Sequence, residues 1–239
     1  MMEAMIFAAG LGTRLRPLTD NRPKALVEVA GCTLLERCIR KLIGYGCKHI
    51  VINTHHFAQM IEEHIHTKHY PAEILLSNEK DTLLDTGGGL KNAENLFSKT
   101  QNIIVHNVDI ISDVDFFEME QELSKSDSIA MLAVSQRKTS RYLLFDSKKE
   151  LCGWQDKKNN REIISRNVSD TFPFAFSGIQ ILKPEIFGMI KCTGAFSIID
   201  EYLELSKKEK IKAFIHKADH WFDVGKAEEL KEIEKRLTE

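Results

Sequence analysis

The sequence predicts an α/β fold, one domain with a mostly parallel mixed sheet flanked by helices, and three observations predict it. Short apolar runs of strand length alternate with amphipathic helical segments through the first hundred or so residues, the pattern of right-handed βαβ units. The chain has 239 residues, 43% hydrophobic and 28% charged with 13 Gly and 5 Pro, which suits one large core and excludes a disordered or fibrous protein. No internal repeat divides it, and no apolar stretch approaches the ~18 residues of a membrane helix. With 33 Lys+Arg against 35 Asp+Glu the net charge is −2. No basic excess exists to drive sequence-independent binding to nucleic acid or acidic membranes, so any phosphate must be held by local groups. Five cysteines, Cys32, Cys38, Cys47, Cys152 and Cys192, are odd in number and form no C-x-x-C pair. They point to a reducing, cytoplasmic setting, away from a disulfide framework or a thiolate zinc site.

In chain order, residues 4–9 form an apolar run that stops at Gly10 and Gly12, the mark of a strand buried on both faces and ending in a glycine loop. Residues 25–29 read as a brief strand. Residues 33–44 read as a helix, because Leu34, Leu35, Cys38 and Leu42 recur at helical spacing, Thr33 can cap it, and Gly44 and Gly46 can stop it. Strands follow at 49–53, 73–77 and 102–106, interleaved with helices at 57–66 and 88–97. From Ser128 the texture changes to closely spaced strands, 128–134, 141–146, 151–155 and 174–182, with a polar loop tip at 157–160. Helices at 198–207 and 226–237 close the chain. Ligands of such sheets lie at the carboxyl ends of the strands.

The densest chemical signal follows the first strand: Gly10-Leu-Gly-Thr-Arg-Leu-Arg-Pro-Leu-Thr-Asp-Asn-Arg-Pro-Lys24. Glycines there let backbone N–H groups approach phosphate oxygens, and Arg14, Arg16, Arg22 and Lys24 concentrate four cations in a nearly neutral chain. It is not a dinucleotide fingerprint, since the third glycine position is Leu15, and no G-x-x-x-x-G-K-[ST] run exists. Asp109 ends an apolar run where a functional carboxylate belongs in an open sheet, and Asp223 stands between Phe222 and Val224, where an unpaired charge is costly. Asp115, just before Phe116-Phe117, reads as a helix cap. Among nine histidines, His64 and His66 share a helix but at a spacing that puts them on different faces, which argues for solvated residues over a zinc site.

The signature from Gly10 to Lys24 resembles, at every defined position, that of the sugar-1-phosphate nucleotidyltransferases. The resemblance continues through Leu84-Asp-Thr-Gly-Gly-Gly-Leu90, Val108-Asp109, Phe176-Ser-Gly-Ile179 and His220-Trp-Phe-Asp-Val-Gly225. It implies a Rossmann-like sheet of the nucleotide-diphospho-sugar transferase type, with residues 1–127 forming a nucleotide-binding half and 128–239 a sugar-binding half with closing helices. It also implies Mg²⁺ as cofactor, held by Asp109 and Asp223, with Lys24, Arg14 and Asp109 as catalytic groups. Lys24 would span the α-phosphate and the incoming sugar phosphate, and Arg14 would hold the departing pyrophosphate. Nucleotide contacts are expected from Ala8, Ala9, Gly10, Leu11, Gly12, Thr13, Arg14, Lys24, Asn78, Gly87, Gly88 and Asp109, and sugar contacts from Asn107, Trp154, Ser177 and Gly178. The expected partners are a nucleoside triphosphate, UTP first, and a hexose 1-phosphate such as N-acetylmuramate 1-phosphate. GTP with mannose or heptose 1-phosphate, and a non-catalytic regulatory subunit, stand as alternatives. Two departures from the family pattern, Val108 where a glycine is usual and Trp154-Gln-Asp-Lys157 without the proline of an E-K-P triplet, bear on the shape of the sugar site.

Overall fold

The computed structural model describes residues 2–80, 82–225 and 229–238. Its strands are β1 (Glu3–Phe7), β2 (Glu28–Val29), β3 (Cys32–Thr33), β4 (His49–Thr54), β5 (Glu73–Asn78), β6 (Ile103–Asn107), β7 (Ile110–Ile111), β8 (Ala130–Ser135), β9 (Arg141–Phe145), β10 (Leu151–Asp156), β11 (Arg161–Ile164), β12 (Phe172–Leu182), β13 (Ile211–Ile215) and β14 (Phe222–Asp223). The helices are α1 (Leu34–Gly44), α2 (Ala58–His66), α3 (Asp85–Asn92), α4 (Phe116–Ser124), α5 (Ile186–Met189), α6 (Ile198–Leu205) and α7 (Leu230–Thr238).

Strands β6, β1, β4 and β5 are parallel neighbours in that order, with Ile6 opposite Ile52 on one side and His106 on the other. β12 adds to β6 antiparallel, and β9, β10 and β11 continue as an antiparallel meander; β8 and β13 branch from β12, β13 running parallel to β8. Side chains alternate across the strands, so two cores form. Ala4, Ile6, Ile50, Ile52 and Ile104 pack with α1, α2 and α4 on one face, whereas Met5, Val51, Ile103 and Val105 pack with Leu90 of α3 and Tyr202 of α6 on the other. In α1, Leu34, Leu35, Ile39 and Leu42 are fully buried, each contributing about 1.5–3 kcal/mol. The Thr33 hydroxyl caps this helix by accepting from the Glu36 N–H at 3.1 Å, and the chain leaves it through Gly46 at φ +88°.

Several expectations are corrected. Residues 25–29 are not a strand: a 3-10 turn at Lys24–Leu26 precedes the two-residue β2. The helix expected at 88–97 begins at Asp85, ends at Asn92 and is followed by a 3-10 turn at Glu94–Leu96. The last helix starts at Leu230; of the expected span, 226–228 lie outside the described residues. Five strands, β3, β7, β11, β13 and β14, and the helices α4 and α5 were not expected, although Asp115 does cap α4, accepting from the Phe117 and Glu118 N–H groups at 2.9 and 3.1 Å.

Candidate active site

The carboxyl ends of β1, β4 and β6 open onto a cleft of about 380 Å³, within the size range of small-molecule sites. The backbone of residues 8–12 forms its floor. Ala8 donates its N–H to Asn53 Oδ1 at 2.7 Å, Asn53 Nδ2 donates to Glu79 Oε1 at 2.7 Å, and the other Glu79 oxygen accepts from the Leu84 N–H at 2.8 Å. A buried carboxylate thereby ties the glycine loop to the turn that precedes α3. Gly12, at φ +64°, is required twice over: the backbone is left-handed there, and a Cβ would stand 3.0 Å from both Lys24 Cβ and Thr19 Cγ2. A Cβ at Gly10 meets nothing, so this position faces open space in the cleft.

Lys24, 8% exposed, ion-pairs with Asp109. Just past Asp109 the chain pairs with β14: Ile110 lies opposite Asp223, and Val224 donates its N–H to the Asp109 carbonyl at 2.9 Å. The two acids, remote in sequence, are neighbours. Arg14 reaches the same place, since a Cβ on Gly225 would lie 2.9 Å from Asp223 Oδ1 and 3.0 Å from Arg14 Nη1. Burial pushes the Asp223 carboxyl above its usual range, the Asp109 charge adds to that, and Lys24, Arg14 and Arg137 work against it.

Asp223 Oδ1 is buried with no hydrogen-bond partner. A desolvated carboxylate oxygen beside a second carboxylate is unfavourable unless a cation joins them. Two carboxylates match the one or two that Mg²⁺ takes when phosphates and water complete its octahedron. Among the described residues no group of three or more His, Cys, Asp or Glu could hold a metal. These residues therefore fit Mg²⁺ shared with a phosphate ligand better than an all-protein cage.

The sequence pattern of the family described as nucleotidyl transferase matches residues 3–239. The chain belongs to the nucleotidyl transferase family. It is 31% identical to the N-acetylmuramate α-1-phosphate uridylyltransferase of Caulobacter vibrioides, over 99% of this chain and 97% of that one. It is 25% identical to the mannose-1-phosphate guanylyltransferase catalytic subunit beta of Drosophila melanogaster, over 93% of this chain but 59% of that one. In fold it matches the crystal structure of HddC from Yersinia pseudotuberculosis complexed with GMP-PN, with a TM-score of 0.77 at 23% identity, over 99% of this chain and 100% of that one.

Within this family site, Ala8, Ala9, Gly10, Leu11, Gly12, Thr13, Arg14, Lys24, Asn107 and Asp109 line the one cleft together. Seven expected site residues do not: Asn78, Gly87, Gly88, Trp154, Ser177, Gly178 and Asp223, the last of which borders a neighbouring hollow with Trp221 and Phe222. Asn78 is exposed at the end of β5 and does not line the cleft. Gly87 and Gly88 both donate their N–H groups to the Phe196 carbonyl, and a Cβ would come within 2.3 Å of the Phe196 ring or 2.2 Å of the Gly194 carbonyl oxygen. Their smallness serves to dock the 194–196 loop, and Leu83, Asp85 and Thr86 line the cleft instead. Ser177 is fully buried, its hydroxyl donating to His216 Nε2 at 2.7 Å, so its side chain is engaged within the protein. Gly178, at φ +73°, lets β12 pass close to Asn107 and Ile110. Val108, 5% exposed, sends its branched side chain into the core, leaving only an edge for the cleft. His64 approaches the Thr33 hydroxyl at 3.4 Å while His66 on the same helix is exposed.

Trp154 lies elsewhere, in a second cavity of about 330 Å³ with Arg137, Tyr142, Phe176, Ser197 and Asp200. Arg137 and Asn53 are the residues that sequence reasoning missed. Asn53 carried the same signal as Asp109, a polar residue ending an apolar parallel strand, and was legible on that ground. Arg137, in the polar segment Gln136-Arg-Lys138 after β8, carries no such local signal.

Proposed function

We propose that the protein transfers the uridylyl group of UTP to N-acetylmuramate α-1-phosphate and releases pyrophosphate. The observation that carries nucleotidyl transfer is the pairing of Lys24 with Asp109 in the cleft floored by the glycine loop, with Asp223 brought beside Asp109 by β14. An oxygen of the acceptor phosphate attacks the α-phosphorus, the bond to the bridging oxygen of the β-phosphate breaks, and the electron pair leaves on pyrophosphate. Mg²⁺ bound by Asp109 and Asp223 supplies charge neutralisation at the phosphate oxygens. Lys24, nearly buried and turned toward Asp109, stabilises the charge that grows on the α-phosphoryl oxygens in a setting where little water screens it. Arg14, exposed at the cleft mouth, is placed to hold the leaving pyrophosphate. The nucleoside belongs in the half made by residues 1–127. The second cavity, walled from residues 137–200, takes the hexose, with the Trp154 ring as a face for stacking.

The choice of UTP and N-acetylmuramate rests on the likeness to the Caulobacter enzyme over nearly its whole length. A GTP-using reading with mannose 1-phosphate draws on the partial likeness to the Drosophila enzyme. Incubation with Mg²⁺ and either UTP plus N-acetylmuramate α-1-phosphate or GTP plus mannose 1-phosphate, with the nucleotide sugar identified by mass, separates the two. Faster pyrophosphate release from the GTP pair overturns the uridylyl assignment, and no release from any triphosphate and sugar phosphate favours a binding-only protein.

A further inference from the structure

Arg137 carries a charge that the nucleotide cleft does not explain. It follows β8 at the wall of the second cavity, half-buried, with Nη2 donating to the Phe176 carbonyl at 2.8 Å. Its Nε is buried without a partner, and no acid pairs with it among the described residues. A guanidinium taken out of water against one neutral carbonyl is under-compensated, and such a group is stabilised by an incoming anion. The side chain is also held in place. Its guanidinium lies 4.0 Å from the centroid of the Trp221 ring, the Trp221 indole N–H donates to the Ser177 carbonyl at 2.9 Å, and the Ser177 hydroxyl is fixed by His216. Arg137 also borders the other site, since the Trp221 ring beneath it stands two residues before Asp223.

We propose, building on the nucleotidyl-transfer reading above, that Arg137 binds the 1-phosphate of the acceptor. With the hexose in the cavity beside Trp154, the anomeric phosphate must cross from that wall toward Asp109 and Asp223, and Arg137, in that wall and stacked on the Trp221 ring two residues before Asp223, is the cation that adjoins both regions. A planar guanidinium offers paired N–H donors to phosphate oxygens and neutralises one anion before it meets the triphosphate. This accounts for a half-buried arginine whose stacking partner is itself anchored.

The chain has two tryptophans, Trp154 in the cavity wall and Trp221 beneath Arg137, so intrinsic fluorescence reads the site directly. The full chain with Mg²⁺ is titrated with glucose 1-phosphate, mannose 1-phosphate and N-acetylmuramate α-1-phosphate, each beside its phosphate-free sugar, and separately with UTP. Arg137→Gln is expected to weaken binding of the preferred 1-phosphate roughly ten- to hundredfold while leaving UTP and the free sugar within about twofold. Arg137→Lys should fall between the two and covers the case of a Gln variant that fails to fold. Unchanged affinity for the 1-phosphate overturns the proposal, as does an equal loss for the free sugar, which would mean a packing role. A loss on N-acetylmuramate with or without its phosphate would place the lactyl carboxylate at Arg137 and overturn the phosphate assignment, and so would binding of none of the three 1-phosphates. The functional reading is tested apart from this: it fails when the wild-type protein releases no pyrophosphate, whatever Arg137→Gln does to binding.

Discussion

The Lys24 ammonium and the Asp109 and Asp223 carboxylates form a set that suits a divalent cation entering together with an anionic ligand. Lys24 ion-pairs with Asp109, and Asp223 keeps one buried oxygen without a donor. Lys24→Met and Asp109→Asn should each lower turnover by about 10²- to 10³-fold, the scale of losing one preorganised charge in a transition state, with circular dichroism unchanged. Asp223→Asn should behave differently. Because the folded protein raises the proton affinity of this carboxyl, ionising it costs folding stability, and a neutral amide relieves that penalty. The metal-free variant is expected to melt higher than wild type, and the rise in melting temperature that Mg²⁺ gives wild type should vanish; a variant still stabilised by Mg²⁺ would exclude Asp223 as a ligand.

At the scale of single elements, α3 is the least helical sequence in the fold to form a helix. Gly87, Gly88 and Gly89 stand in consecutive positions, and each glycine costs about 1 kcal/mol relative to alanine in a helix interior. Close approach offsets that cost: the first two face Phe196 and Gly194, and a Cβ on Gly89 would lie 2.7 Å from Glu79 Oε1 and 2.8 Å from Asn53 Nδ2. Gly88→Ala therefore should not gain the usual helix stabilisation. It should destabilise by about 1–3 kcal/mol in urea titration, since its Cβ would fall 2.2 Å from a backbone oxygen. β12 shows the converse case. Its pairing register with β8 shifts between Phe176 and Gln180, and the shifted stretch holds Ser177 and Gly178, so a residue pair that resembles a sugar contact works as a bend fixed by His216 and Asn107.

For the molecule as a whole, the two-sided sheet puts polar residues of central strands where no water reaches. His106 on β6, 1% exposed, is the clearest instance. Burial pushes its imidazole down to about 3, helped by the Lys41 charge, with the Asn107 carbonyl opposing. In the unfolded chain the same group titrates near its ordinary value, so between roughly pH 6.5 and 3 the unfolded state binds the extra proton and stability falls as pH falls. The slope from this one group approaches ~1.4 kcal/mol per pH unit inside that window and is absent above it. His106→Gln should show a shallower loss of stability from pH 6.5 to 4 than wild type, measured by urea midpoints, with the two curves parallel above pH 7.

The sequence by itself determined what depends on near neighbours along the chain. The Gly10–Lys24 loop, the α1 pattern with its Thr33 cap, the parallel βαβ order and the two strand-following acids are local in origin, since they follow from dihedral freedom, helical period and burial of short apolar runs. Position at a strand end placed Asp109 correctly, because every parallel strand of one sheet delivers its carboxyl end to the same edge. Contacts between distant segments decided which residues line the cleft. Only the pairing of β7 with β14 brought Asp223 to Asp109, only the 194–196 loop took Gly87 and Gly88 away from the cleft, and only the anchored Trp221 ring showed Arg137 to be a held cation. Each of these is a contact between segments far apart in the chain. Its energy comes from surfaces that meet only after the sheet has formed, and no periodicity within either segment encodes it.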